Sequence, residues 1–285
     1  MPDLIIALTI NGLVWGLIVA LIALGLSIIF GLLDIINVAH GDFFMVGTVL
    51  GLVVAGTTGF WIALIVVPIA GFILGLVIER LVIRPAISSA SLTIVTTFGL
   101  SMILQEAVRA TFGAQARRMP PPIPGTVHLF GIDYDIYRLF AAVFAAAAIV
   151  VFFLFLSRTR LGTWIRAVRH DRETATALGI PVTLVCAFTF ALGTALALLG
   201  GAIAAPITTV EFRTGVDILP VCFMAVVIGG LGNLKGTVAA AVLLAMMEGL
   251  VTSITDPTIA RIASLAVMSL VLLVRPHGLF AGATR

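Results

Sequence analysis

What most constrains this chain is the recurrence of apolar runs without a single charge: Gly12 to Leu33, Phe43 to Ile78, Ala86 to Gln105, Leu139 to Leu156 and Val182 to Val210. A helix needs about 20 such residues to cross the hydrocarbon layer. Three shorter runs follow, Leu219 to Leu234, Gly236 to Met247 and Ile262 to Val274, the last flanked by Arg261 and Arg275, which can snorkel outward. The run 43–78 is too long for one span and is broken by GTTGF at residues 56–60, so it reads as two. With 61% hydrophobic and 10% charged residues, a soluble domain is excluded. The runs are continuous and do not alternate, which disfavours a β-barrel, because only helices satisfy their own backbone in lipid. The reading is an all-α integral membrane protein with about eight or nine transmembrane helices, some broken or re-entrant. Residues 1–285 form a single transmembrane domain. The N-terminus, MPDLIIALTINGLVWGL, lacks the positive n-region and cleavage site of a secretory signal and is expected to be a retained first span.

If the spans alternate, ten of the 16 basic residues fall on one side: Arg80, Arg84, Arg158, Arg160, Arg166, Arg169, Arg172, Lys235, Arg275 and Arg285. Basic residues mark the cytoplasmic side, so the N-terminus is expected outside and the C-terminus inside. The net charge of +3 therefore reports orientation, and no nucleic-acid partner is implied. A cytoplasmic loop is expected at about 158–181 and an external one at about 110–138. The prolines of the external loop stop any continuing helix, and it either caps the outer mouth or simply connects two spans.

Glycines recur four apart within the apolar runs, at Gly12 and Gly16, Gly47 and Gly51, Gly71 and Gly75, and Gly232 and Gly236. In lipid such spacing lets helices approach closely. Cys186 and Cys222 lie in apolar runs with no metal or redox spacing and read as small buried hydrophobes.

Two segments look like broken helices at membrane depth. GLLDIINVAHGDFF, 31–44, carries Asp34, Asn37, His40 and Asp42, and GGLGNLKGT, 229–237, carries Asn233 and Lys235. Irregular backbone is tolerated there only where protein or a water-filled cavity covers it, and paired interruptions point to a transport pathway. Plain turns between spans are the alternative. Catalysis needs a nucleophile and base, paired acids or metal ligands at one depth. His40, His128, His170 and His277 lie near span ends or in loops without H-E-x-x-H, so no catalytic or metal residues are assigned. GLGNLKGT places its lysine before the glycine and is not a P-loop. Glu248 is the one acid well inside a late apolar run, either an ion-coupling site or a group facing a neighbouring helix.

The most polar island, RAVRHDRETATALGIPV at 166–182, reads as a short helix. Asp171 can cap it, Glu173 sits in its first turn, and Gly179 with Pro181 stops it after Leu178. Ala175 and Leu178, three apart, would share an apolar face rimmed by Arg172 and Glu173, a docking surface, with a solvated loop whose charges merely hold topology as the alternative.

In this island Glu173-Thr-Ala-Thr-Ala-Leu-Gly179 resembles the E-A-A-x-x-x-G loop of bacterial ATP-binding-cassette (ABC) importer permeases, departing at Thr174. The wider chain is similar to the H-type inner-membrane permeases of high-affinity branched-chain amino acid importers. The matching segments are 25–47, 79–85, 96–105, 167–180, 200–207, 227–241 and 271–280, with Asn37-Val-Ala-His-Gly-Asp42 the most specific. The resemblance implies a second permease, homologous or a second copy, two P-loop ATPase subunits, a periplasmic substrate-binding protein and the bacterial inner membrane. ATP and Mg would be held by the ATPases, with no cofactor on this chain. It implies ATPase coupling through Arg166, Arg169, His170, Asp171, Arg172, Glu173, Ala175, Leu178 and Gly179. Asn37, His40, Asp42, Asn233, Lys235 and Glu248 become candidates for the translocation path. The implied cargo is a branched-chain or related amino acid, with selectivity largely in the binding protein and no direct contact to this chain implied. Urea, short amides or other amino acids are alternative cargoes, and an ion-coupled secondary transporter is the alternative mechanism.

Overall fold

The computed structural model describes residues 2–280 apart from 88, 130 and 277, so His277 and Arg285 lie outside the described residues. Its helices are α1 (Pro2–Leu33), α2 (His40–Thr58) and α3 (Phe60–Ile78), the last leading through a π turn at Glu79–Ile83 into α4 (Arg84–Ala86). Then come α5 (Ala90–Phe112), a two-stranded hairpin β1 (Thr126–Leu129) and β2 (Ile132–Asp135), and α6 (Ile136–Arg158). The polar island holds α7 (Arg160–His170) and α8 (Arg172–Ala177), and α9 (Val182–Ala204), α10 (Thr214–Gly229), α11 (Leu234–Thr252) and α12 (Pro257–Val274) complete the bundle. Among the described residues, eight helices are long and apolar enough to cross a membrane. The chain is therefore a multi-pass membrane protein.

Helix α1 is the axis: 83% of its best apolar window is buried, against 17% for α12 at the rim. Ile18, Val19, Ala20, Leu21, Ile22 and Ala23 are wholly covered on every side. A helix apolar all round belongs in such a place. Glycine makes the packing possible. Gly12 and Gly16 lie against Ala245 and Val242 of α11, Gly47 and Gly51 against Leu198 and Ala202 of α9, and Gly71 and Gly75 against Ala195 and Ala191 of the same helix. Three of the four glycine pairs thus mark helix crossings, where backbone contact replaces the hydrophobic drive that lipid removes. The fourth pair, Gly232 and Gly236, straddles the turn between α10 and α11. Outward-facing Trp61, Ile65, Ile69 and Ile73 on α3 are exposed, as lipid-facing side chains are.

The structure corrects the run boundaries. The run Leu219–Leu234 is not a helix along its length: α10 starts five residues earlier, at Thr214, and stops at Gly229 because Gly230 (φ 94°) and Gly232 (φ 78°) turn the chain. At 16 residues, α10 is about 24 Å long, short for a span. The external loop is also not wholly irregular, since β1 and β2 add a small sheet to the otherwise all-α fold. Tyr134 Oη and Arg138 Nη1 both donate to Asn11 Oδ1, at 2.8 and 2.6 Å, and Tyr137 Oη donates to the Ile203 carbonyl at 2.7 Å. Arg117 and Val210 exchange backbone bonds. These bonds tie the loop to the ends of α1 and α9 and to the α9–α10 connection.

Candidate functional site

The polar island folds as two helices where one was expected. Thr159 caps α7 by accepting the Gly162 N–H at 3.0 Å, and α7 carries Arg166, Arg169 and His170. Arg166 donates to the Leu156 carbonyl and, at 3.2 Å, to Thr163 Oγ1. The guanidinium of Arg169 lies between Gly31, near the end of α1, and Gly232, in the turn before α11. Arg172 Nη2 reaches Cys186 Sγ at 3.8 Å, a weak bond that ties the start of α8 to α9.

Asp171 caps α8 as its type and place require, accepting the N–H groups of Glu173 and Thr174 at 2.9 and 3.1 Å. The Thr174 hydroxyl and these amides hold the Asp171 carboxyl below its usual range. Gly179, at φ 79°, closes the other end: its N–H donates to the Thr176 carbonyl and that of Ile180 to the Ala175 carbonyl. The helix is six residues, the short element expected, and it stops at Leu178. One expectation fails here: Ala175 and Leu178 do not share an exposed face. Ala175 is buried and seats α8 on the bundle, whereas Leu178 is 75% exposed and projects with Glu173. The docking surface is thus narrower than an amphipathic face.

Residues 34–42 form a joint in the middle of the bundle. Asp34 ends α1 in the left-handed region (φ 54°), a conformation Asp tolerates better than most side chains. Residues 34–37 are irregular and Val38 and Ala39 make a turn, with the His40 N–H on the Asn37 carbonyl at 3.3 Å, into α2, whose first residue, His40, bonds the Ile22 carbonyl through Nε2 at 3.0 Å. Ile22 lies 11 residues before Leu33, so α2 begins about 16 Å inward from the end of α1.

The irregular backbone is served by side chains. Thr97 Oγ1 of α5 accepts the Val38 N–H at 3.2 Å and approaches the Ile36 carbonyl at 3.4 Å, and Asn37 Oδ1 accepts the Ala39 N–H at 3.1 Å. Asp42 sits in the first turn of α2, where the helix dipole favours an acid. The first turns of α2 and α10 abut, and a Cβ on Gly215 would come within 2.5 Å of Asp42 Oδ1. Three buried atoms, Asn37 Nδ2, His40 Nδ1 and Asp42 Oδ1, have no hydrogen-bond partner among the described residues. A carbonyl can only accept, so Nε2 of His40 carries the hydrogen and Nδ1 is the bare acceptor.

The remaining path candidates lie elsewhere. Asn233 caps α11, with Oδ1 accepting the Gly236 N–H at 3.1 Å and Nδ2 donating to the Phe280 carbonyl at 2.5 Å. Lys235 is exposed beside it, in a cleft shared with Arg166 and Arg169. The segment 229–237 is therefore a turn at the end of the bundle that carries α7, level with Gly31, and not a break at mid-depth like 31–44. Glu248 lies toward the opposite end of α11, with Oε1 3.9 Å from Arg261 Nε. Sequence reasoning missed Thr97 and Gly215. A threonine inside an apolar run carries no depth, and a glycine beside Asp42 is visible only once α2 and α10 meet. Among the described residues, no three His, Cys, Asp or Glu side chains gather as metal ligands would.

The family "branched-chain amino acid transport system / permease component" matches residues 8–274. The chain is 28% identical to the high-affinity branched-chain amino acid transport system permease protein LivH of Salmonella typhimurium, over 94% of this chain and 93% of that protein. It is 29% identical to the corresponding permease protein BraD of Pseudomonas aeruginosa, over 95% and 94% of the two chains. A probable branched-chain amino acid transport permease protein LivH of Methanocaldococcus jannaschii is 24% identical, over 94% and 90%. No solved structure matches the chain.

Proposed function

Since this chain belongs to the branched-chain amino acid transport system permease family, we propose that it forms a translocation pathway with a second permease, driven by two P-loop ATPases and supplied by a periplasmic binding protein. It lies in the bacterial inner membrane with α7 and α8 in the cytoplasm, the N-terminus outside and the C-terminus inside. It holds no cofactor and performs no catalysis, and ATP with Mg acts on the ATPase subunits.

One observation carries this reading. Helix α8 is fixed at both ends by Asp171 and Gly179, presents Glu173 and Leu178 outward, and follows directly on α7, whose Arg169 guanidinium lies beside Gly31 and Gly232. A push on α8 is thus delivered to the end of α1 and to the α10–α11 turn. Just beyond the end of α1 lies the irregular segment 34–39, which joins α1 to α2 and belongs to neither helix. ATP and the loaded binding protein then each stabilise a different arrangement, since a ligand with equal affinity for both shifts nothing.

The test is purification of the tagged chain from its native membranes in mild detergent, with mass spectrometry of what accompanies it. A P-loop ATPase is expected, and its recovery is expected to fall with Glu173→Ala and with Gly179→Val. At φ 79° a valine is strained by about 1–2 kcal/mol and the helix stop is lost. A chain that purifies alone and transports in liposomes without ATP would refute the proposal.

A further inference from the structure

Beside the mid-depth joint, toward the end of the bundle opposite α8, lies a cavity of about 310 Å³ between α1, α2, α10 and α11, with Arg261 of α12 at its edge. Its floor includes Phe44 and Thr214, two residues from Asp42 and one from Gly215, so it adjoins the joint. Its walls divide by chemistry. Trp15, Phe44 and Val221 are apolar, whereas Asp217, Glu248 and Arg261 are charged. The volume is at the lower end of small-molecule sites, about 300–1,000 Å³, and accommodates an amino acid.

The charges only partly offset one another: Arg261 forms a loose ion pair with Glu248 and leaves Asp217 over. Arg261 and Glu248 stand 3.9 Å apart, well beyond the about 2.7–2.9 Å of a closed charge-assisted hydrogen bond. Asp217, exposed in the first turn of α10, has no ion-pair partner among the described residues. Two carboxylates and one guanidinium around an apolar pocket match a zwitterion with a branched aliphatic side chain. Its ammonium meets Asp217 and Glu248, its carboxylate meets Arg261, and its side chain meets Trp15, Phe44 and Val221. We infer that this cavity is the permease's own way-station for the free amino acid, between the delivering binding protein and the joint. The inference rests on the transport reading above and adds to it a direct contact between chain and cargo. Binding there is weak by construction, because a site on a path must release what it takes. The open ion pair serves that need, since Glu248 and Arg261 can close on each other as the amino acid leaves.

The probe is a leucine analogue carrying a photoreactive diazirine in its side chain, supplied to the complete importer in proteoliposomes with ATP. Import is measured first, and labelled peptides are then mapped. Labelling is expected in the segments holding Trp15, Phe44 or Val221. It is expected to be displaced by leucine but not by isopentylamine, which lacks the carboxylate, nor by 4-methylpentanoate, which lacks the ammonium. Asp217→Asn with Glu248→Gln is expected to lower labelling and uptake at least tenfold while ATP hydrolysis stimulated by the binding protein persists, which also shows that the variant is folded and assembled. ATP-driven import with no label in the cavity, or with label indifferent to the two substitutions, would overturn the way-station and leave the transport reading standing. Absence of ATP-driven leucine import by the unaltered complex would remove both.

Discussion

Residues 34–42 and residues 229–237 each interrupt an apolar run with polar side chains, yet the first is sealed in the middle of the bundle and the second lies at its coupling end. Their asparagines show the difference. Asn233 uses both ends of its amide, on the Gly236 N–H and the Phe280 carbonyl, and so behaves as a cap. Asn37 uses only Oδ1, and with His40 and Asp42 leaves three buried atoms unpaired among the described residues. A buried unpaired polar atom costs about 1–3 kcal/mol. A joint shaped for stability alone would not carry three of them together, whereas the turn at 229–237 carries none. The comparison separates an interior joint with unpaired polar atoms from a fully bonded turn, although both look alike as strings of Gly, Asn and charge.

The largest effect is expected where the joint is tightest. A Cβ on Gly41 would overlap the Gly215 carbonyl oxygen and crowd Leu219. Gly41→Val is therefore expected to cost more than the about 1–3 kcal/mol of ordinary overpacking and to leave little monodisperse protein in detergent. Normal yield and thermal stability would show that the α2 and α10 first turns do not abut. Next in size is His40→Leu. It removes the bond to Ile22 but also the orphan Nδ1, so the stability is expected to change by no more than about 1 kcal/mol, while leucine uptake falls at least tenfold. Equal losses in both readouts would make the joint merely structural.

At the coupling end the expected effects are smaller. Gly232→Ala places a side chain at φ 78° and within 3.0 Å of Arg169 Nη2. The backbone cost is about 1–2 kcal/mol, and the mobile guanidinium can withdraw. Protein is expected at near-normal abundance, with ATP hydrolysis less well matched to uptake because Arg169 no longer seats on the turn. Unchanged coupling would detach Arg169 from the transmission assigned to it.

Much of this was legible in advance for definite reasons. Unbroken apolar runs announce spans because lipid admits no other backbone, and three glycine pairs announce crossings because only small residues let helices touch there. The island's cap was readable from Asp171 and its stop from Gly179, since both act within a few residues of chain. What depends on distant partners was not readable. Whether Ala175 points in or out depends on how α8 rests on the bundle, and α10 ends where Gly230 turns and not where apolarity fades. The depths of 31–44 and 229–237 differ because α2 starts opposite Ile22, a contact 18 residues away in sequence. The cavity needed even more: Asp217, Glu248 and Arg261 come from three helices and carry no shared spacing.

The smallest expected effect tests whether the coupling end answers to solvent while the joint does not. Asp171 is exposed, and the Thr174 hydroxyl and two amides hold its carboxyl below the ordinary range. A group whose value is lowered by folding contributes stability above its unfolded value, about 3.9, and loses it as the pH falls through the folded one. Helix α8 is thus expected to keep its protection across neutral pH and to fray only in acid, read as faster hydrogen exchange at the Thr174 and Ala175 amides. Asp171→Asn keeps a capping oxygen but cannot titrate, so it is expected to abolish the acid fraying, whereas Asp171→Ala is expected to fray α8 at every pH. Acid fraying that survives in Asp171→Asn would move the titrating group elsewhere and leave Asp171 a cap without a pH response. The bond between His40 and Ile22, enclosed by α1 and α9, provides the internal reference: exchange in the first turns of α2 is expected to stay slow over the same range.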